Sequence, residues 1–259
     1  IVAGSALAVI AAAIAGRLFG GWIAEVGAGV LVAFHPGLVV YSSTKAHPLT
    51  FDALFFALTL VLVFRLAELS TVRRAIELGL VVGVGALSRG TIVIFLPLAG
   101  VWLLAVATRQ SRVVIIRNLA VAALCSAAII APWTIRSSLL HDRFVFLLTT
   151  DSEDFWEGNS LHATGHGYID AGHTALAMLT PEELRDLARQ PNEVAQADWF
   201  ATRSRAFIRE HPSEFLRLNL LKFFHFWWFA PQSGVLYPRS WLRLYMIYYV
   251  VALLLAALG

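Results

Sequence analysis

The sequence predicts an all-α, multi-pass transmembrane helix bundle of about eight spans, with one extracytoplasmic α-rich loop subdomain. Three observations carry that expectation. Hydrophobic residues make up 58% of the chain and charged residues only 14%, and mean hydropathy is +0.71, well outside the balance of soluble domains. Apolar runs recur at lengths close to the roughly 20 residues that a helix needs to cross a bilayer. One long segment, 134–215, interrupts the series with a polar, acidic and aromatic composition.

The apolar stretches cover approximately 1–16, 22–42, 50–66, 75–88, 91–107, 113–133, 216–231 and 242–258. The fourth and fifth meet at "LSRGT", where Arg89 and Gly90 break the run into two tightly joined helices. This divides the chain into transmembrane helices over 1–133, a loop subdomain over 134–215 and further transmembrane helices over 216–259. Short loops give the orientation, because Lys and Arg prefer the cytoplasmic side. Arg17, then Arg65, Arg73 and Arg74, then Arg109, Arg112 and Arg117, then Arg239 and Arg243 share one side; Lys45 and Arg89 lie on the other. Segment 134–215 is thereby placed outside.

Within that segment, "TPEELRDLARQP" reads as a short helix with Thr180 as cap, Pro181 in its first turn and Glu183 closing a capping box. The next stretch sets Val194, Ala197, Ala201, Ser204 and Ile208 along one flank, with Trp199, Phe200 and Phe207 nearby. That pattern predicts an amphipathic helix resting near the membrane surface. "TTDSEDFWEGNSLHATGHGYIDAGH" has no sustained period and reads as an ordered loop. At "APWTIRSSLL", Pro132 and Trp133 mark an interface, with Arg136 among head groups beyond it.

Several function classes are excluded on chemical grounds. The net charge is +3, but the basic residues are scattered in short groups between apolar runs, as membrane loops hold them rather than nucleic-acid-binding surfaces. Cys125 has no disulfide partner within the chain and reads as a small buried hydrophobe. Neither "SRG" nor "GHG" has the strand and GK[ST] context of a phosphate loop. His162, His166 and His173 lie close in sequence, but their spacing matches no zinc signature, and no metal site is assigned.

Three groups carry candidate chemistry. The first is Lys45, His47 and Asp52 in "YSSTKAHPLTFDAL". Asp52 falls in the first turn of a helix, where a carboxylate is favoured by the dipole and also serves as a simple capping charge. The second is cationic: Arg89 at the helix break and Lys222 within the seventh apolar stretch, with His225 one turn on. Such cations either snorkel to head groups or grip a lipid phosphate. The third is the loop with Trp156, Glu157 and Asn159. An indole beside carboxylates and an amide suits a sugar's C–H face and hydroxyls, and an aromatic at the interface does the same without binding anything.

The order of these segments resembles the GT-C membrane glycosyltransferases that use polyprenyl-phosphate sugars, especially bacterial relatives of the protein O-mannosyltransferases and the lipid A aminoarabinose transferase. Four stretches carry the resemblance: "HPGLVVYSSTKAHPLTFDALFFALTLVLVFRL", "GALSRGTIVIFLPLAGVWLL", "APWTIRSSLLHDRFVFLLTTDSEDFWEGNSLHATG" and "AFIREHPSEFLRLNLLKFFHFWW". The resemblance implies a multi-pass protein of a bacterial inner or plasma membrane, transferring a sugar from a polyprenyl-phosphate donor to an extracytoplasmic acceptor. It implies Arg89 and Lys222 on phosphate, with Asp52, Trp156 and Asn159 around sugar or acceptor. It calls for no organic cofactor and leaves room for a divalent cation. The family's main catalytic acid belongs to a first outer loop upstream of Ile1. The chain, which begins inside an apolar run without Met, therefore reads as a fragment expected to be inactive alone, with Asp52 at the family's second acidic position. A flippase or transporter for lipid-linked sugars, and a non-catalytic membrane scaffold, are the alternatives from other classes. Transporters usually show paired halves, and no internal repeat is evident here.

Overall fold

The computed structural model describes residues 1–43, 47–107, 110–170, 172–229 and 238–258, and their regular structure is helical. The candidate residue Lys45 and the loop residue Arg109 lie outside the described residues. The chain forms two compact units: Ile1–Leu140 with Ala252–Gly259, and His141–Val251.

The first unit opens with α1 (Val2–Phe19), which ends at Gly20 and Gly21, both at positive φ, before α2 (Trp22–Ala33) begins. α2 continues into α3 (Pro36–Ser43) with a bend of 50°. Pro36 lacks the N–H that a straight helix would need there, and the His35 ring accepts the Leu38 N–H at 3.2 Å, which starts the new helix. α4 (Leu49–Glu68) buries Thr59, Leu62, Val63 and Leu66, a stripe at helical spacing. α5 (Val72–Ser88) is stopped by the extended backbone of Arg89, and a 3-10 turn over Gly90–Ile94 leads into α6 (Phe95–Val106), so the break at "LSRGT" is present. α7 (Arg112–Leu140) follows.

α5 and α7 pack more closely than side chains would normally permit. A Cβ on Gly79 would fall 2.6 Å from that of Cys125 and would also overlap the Ala122 carbonyl, while one on Gly83 would meet the Ile129 Cβ at 2.8 Å. Ser126 Oγ donates to the Gly79 carbonyl at 2.9 Å, linking the two backbones. Small residues that bring helices into backbone contact, with a hydroxyl bridging them, replace the hydrophobic drive that lipid cannot supply between helices. Cys125 is a half-buried part of this seam.

One end of the unit collects several of the basic residues read as one-sided. Arg17 pairs with Glu68 and donates to the Phe64 carbonyl, and Arg74 donates to the carbonyls of Arg65 and Leu69. Buried Asn118 donates to Ser70 Oγ at 2.8 Å, and Gln110 closes the end of α4 through the Leu66 and Ala67 carbonyls. Asp52 and Arg89, at the start of α4 and the end of α5, mark the opposite end.

Each expected apolar stretch is mainly helical over its described residues, but among the described residues four helices are long and apolar enough to cross a membrane: α1, α4, α7 and α12 (Arg239–Leu258). A fifth span is added if the bent α2–α3 pair counts as one. α5, at 17 residues, and α11 (Pro212–Trp227), at 16, are shorter, and α5 carries charges in its opening turns. α7 also departs from expectation, because Pro132 does not end it. Twenty-nine residues make a helix of about 43 Å against a hydrocarbon core of about 30 Å, so Trp133 can mark an interface while the helix continues. Arg136 lies over the Trp133 ring, 5.6 Å from its centroid.

The second unit contains α8 (Asp151–Gly158), a 3-10 turn over Ala175–Met178, α9 (Pro181–Ala188), α10 (Glu193–Glu210), α11 and the first turns of α12. α8 corrects the reading of 151–158 as loop. It is too short for a period to be visible, and three carboxylates in its first turn favour its positive end. Asp151 and Glu153 are raised from their ordinary values, first by partial burial and then by nearby carboxylates, Asp154 for Asp151, and Glu157 and Asp154 for Glu153.

α10 is amphipathic as expected, but its aromatic face is buried within the unit rather than laid on a lipid surface. Trp199 and Phe200 join Trp156, Ala175 and Leu179 in one cluster, and Phe207 joins Ala163 and Leu218 in another. Each fully buried aromatic stabilises by about 1.5–3 kcal/mol, more than a short helix gains from propensity, and this decides the packing. Arg203 lies over the Trp199 ring at 3.4 Å and faces Glu183 at 3.8 Å. The Thr180–Glu183 capping box is present in full.

Two outcomes follow from this packing. Gly79→Val should destabilise the protein by about 1–3 kcal/mol through overpacking, read as a lowered melting temperature in detergent, whereas Gly27→Ala, with open space around it, should not. Glu183 is held below the usual glutamate range, chiefly by the Thr180 backbone N–H. Its stabilisation is therefore present above the unfolded-state value of about 4.3 and is lost as pH falls through the lower folded value. The difference in melting temperature between the native protein and Glu183→Ala should shrink accordingly as pH is lowered from 6 towards about 3.

Candidate functional site

In the first unit, Asp52 stands in the opening turn of α4 and is engaged by two side chains from the end of α5. Ser88 Oγ donates to Oδ1 at 2.9 Å, and the Arg89 guanidinium lies 3.6 Å from Oδ2. The carboxylate is 15% exposed and the guanidinium 54%, so the pair opens to one side. The helices approach because residue 85 is glycine: a Cβ there would meet Ile92 at 2.9 Å and Phe55 at 3.1 Å. The break after Ser88 then turns Arg89 back towards the carboxylate. Arg89 is thus a partner of Asp52 as well as a candidate phosphate ligand. His47 has a local task, its Nδ1 accepting the Leu49 N–H at 3.1 Å while its ring packs on Tyr41. It also lines a cavity of about 540 Å³ with Tyr41 and Thr50.

In the second unit the candidates separate into core and cavity. Trp156 is 4% exposed and packs on Phe200 with ring centroids 5.3 Å apart. This corrects the expectation of a ring open to sugar: the indole is core, because α10 presents two aromatics to Trp156, the buried residue of an acidic helix. Glu157, half-buried on α8, adds to the negative field on Glu153. Asn159 closes α8. Its Nδ2 donates to the Phe155 carbonyl at 2.8 Å, and its Oδ1 accepts from Lys222 Nζ at 2.7 Å.

Lys222 belongs to a cavity of about 480 Å³ that also takes in His166, His225, the aromatic end of α11 and two tyrosines of α12. His166 and His225 meet edge to face with centroids 5.4 Å apart, and His225 Nδ1 is buried with no hydrogen-bond partner among the described residues. Tyr249 donates to the Trp227 carbonyl at 2.7 Å and packs with Tyr245 around Phe229. The loop reaches α11 through Gly165, at φ +83°, where a Cβ would strike that of Leu221 at 2.9 Å. His166 titrates below the ordinary histidine range, first because it is partly buried and then because of His225, with its own backbone contact opposing. No carboxylate is among the described residues that line this cavity, so its field attracts anions.

The three loop histidines have separate partners. His166 meets His225, His173 pairs with Asp170, and His162 lies in the field of Glu183. Among the described residues, no three of His, Cys, Asp and Glu stand close enough to hold a metal ion. Ser88 and the tyrosines of α12 went unread in sequence, although Ser88 adjoins Arg89 in "LSRGT" and the aromatic run "FWWF" signals a ring-lined surface.

Residues 1–135, which hold the Asp52–Ser88–Arg89 constellation, match the family model described as dolichyl-phosphate-mannose-protein mannosyltransferase. The chain belongs to that family. It is accordingly an integral membrane glycosyltransferase of the mannosyltransferase type, and the resemblance to GT-C enzymes is borne out. The Lys222 cavity lies beyond the matched residues. No curated protein and no solved structure matches the chain.

Gly165→Ala should cost about 1–3 kcal/mol, since it forces a side chain into a left-handed conformation against Leu221. Differential scanning fluorimetry of the purified protein reads the loss, with Gly167→Ala separating backbone strain from contact, because residue 167 has positive φ and open space.

Proposed function

We propose that this mannosyltransferase-family protein takes its sugar from a polyprenyl-phosphate donor and passes it to an extracytoplasmic acceptor in a bacterial inner or plasma membrane. The observation that supports this reading is the Lys222 cavity. It combines a cation held by a neutral amide, two imidazoles and a wall of aromatic rings. Those features suit an amphiphile with an anionic head and an isoprenoid tail, since the ammonium offers charge and the rings offer apolar surface. On this reading Lys222 and His225 hold the phosphate, with Asn159 fixing the lysine.

Asp52 takes part with its carboxylate oriented by Ser88 and Arg89. A carboxylate so held accepts a hydrogen bond from a sugar or acceptor hydroxyl, or receives its proton. Arg89, half-exposed beside it, remains able to turn one face of its guanidinium to an anion. Together they place a proton acceptor and a positive charge at one end of the first unit. The donor's phosphate leaves as a stabilised anion, so the reaction needs no nucleotide outside the cell.

In the full natural chain, Lys222→Met should reduce sugar transfer from a polyprenyl-phosphate sugar by about 10²-fold or more, and Arg89→Gln should also reduce it. Radiolabelled sugar transfer in membranes measures this, with abundance followed in parallel. Undiminished transfer in both variants at normal abundance overturns the phosphate assignment.

A further inference from the structure

The titratable groups on the described wall of the Lys222 cavity come from every element that forms it: His166 from the loop, Lys222 and His225 from α11, and Tyr245 and Tyr249 from α12. Only one of them, Lys222, is of a type that is ordinarily cationic at neutral pH, and it already spends one N–H on Asn159. The two histidines lie ring against ring, with Thr164 Oγ1 3.3 Å from His166 Nδ1 and His225 Nδ1 buried without a hydrogen-bond partner among the described residues. A buried polar nitrogen with nothing to bond is a cost that a ligand or a proton relieves.

We infer that the His166–His225 pair is a proton-accepting phosphate site that selects a lipid phosphate monoester over the corresponding diester. The inference rests on the donor reading above and assigns the site a stage of the reaction. In the transfer, the acceptor oxygen bonds to the sugar's anomeric carbon, and that carbon's bond to the phosphate oxygen breaks. The bonding pair stays on phosphate, and the acceptor hydroxyl's proton departs to a base. A diester with one negative charge therefore becomes a monoester whose second ionisation lies near pH 6. One lysine matches the diester. Among the described residues that line this cavity, the second charge is matched only if an imidazole of the pair takes up a proton, which it then shares with the phosphate oxygen. Charge appearing on the leaving group thus finds a group able to answer it, and the site favours the departing lipid phosphate over the donor.

The test uses a short isoprenyl phosphate monoester and its methyl diester, bound to the full natural chain in detergent. Isothermal titration is run at pH 7.5 in buffers of differing ionisation enthalpy. The monoester should bind about tenfold more tightly with uptake of close to one proton, and the diester with almost none. His166→Gln and His225→Gln should each reduce both the uptake and the preference for the monoester, and Lys222→Met should weaken both lipids. Equal binding of both lipids without proton uptake in the unmodified protein overturns the histidine assignment alone and needs no variant to fold. Uptake that is unchanged in both histidine variants overturns it too. Binding of neither lipid overturns the donor reading itself, and this inference with it.

Discussion

A helix in hydrocarbon must satisfy every backbone N–H and C=O internally, and lipid gives neighbouring helices no hydrophobic reason to associate. The first unit meets both demands at the seam between α5 and α7. Gly79 and Gly83 bring the backbones together, and Ser126 bonds across the gap to a carbonyl that glycine has left accessible. The position of α5 follows from this seam, and with it the place where α5 ends. Ser88 and Arg89 sit at that end, and they orient Asp52. The candidate chemistry of the first unit therefore depends on three residues with no side chain, Gly79 and Gly83 at the seam and Gly85 beside α4.

The two cationic candidates differ in what holds them. Arg89 faces a carboxylate, so its charge is partly neutralised before any ligand arrives, and its role joins that of Asp52. Lys222 faces the amide oxygen of Asn159, which orients the ammonium without cancelling it. Removing a carboxylate partner and removing an amide partner are different perturbations. The first leaves a cation uncompensated, whereas the second leaves the charge unchanged and the direction unset.

Much of this was legible in sequence where one local rule was enough. The helical series, the break at Arg89, the capping box at Thr180 and Glu183, and the amphipathic α10 all follow from period and cap residues. What was not legible required partners distant in sequence. Trp156 read as a sugar platform because its neighbours are acidic, yet Phe200, forty-odd residues on, claims the indole for the core. α8 was missed because eight residues give a helical period no room to show. Pro132 suggested an ending to a helix that continues, since neighbouring structure compensates a lost N–H more readily in long apolar helices. In sequence His166 suggests only a metal ligand, because its partner His225 stands far along the chain on α11. The pairing of Asp52 with Ser88 and Arg89 was also hidden, as Asp52 and Arg89 stand far apart in sequence with no sign there that they form one group.

The contact between Lys222 and Asn159 bears on how the cavity behaves when empty. An ammonium has three donors and rotates freely on its flexible stem, so an untethered lysine would meet an incoming ligand in many poses. Asn159 is itself anchored through its other amide atom to the Phe155 carbonyl, and so transmits the rigidity of α8 to the tip of a side chain on α11. The entropic cost of ordering that lysine is thus met during folding, before a ligand is present. Such a site behaves as a socket that keeps its shape between visits and distinguishes ligands by fit and charge rather than by their ability to mould it.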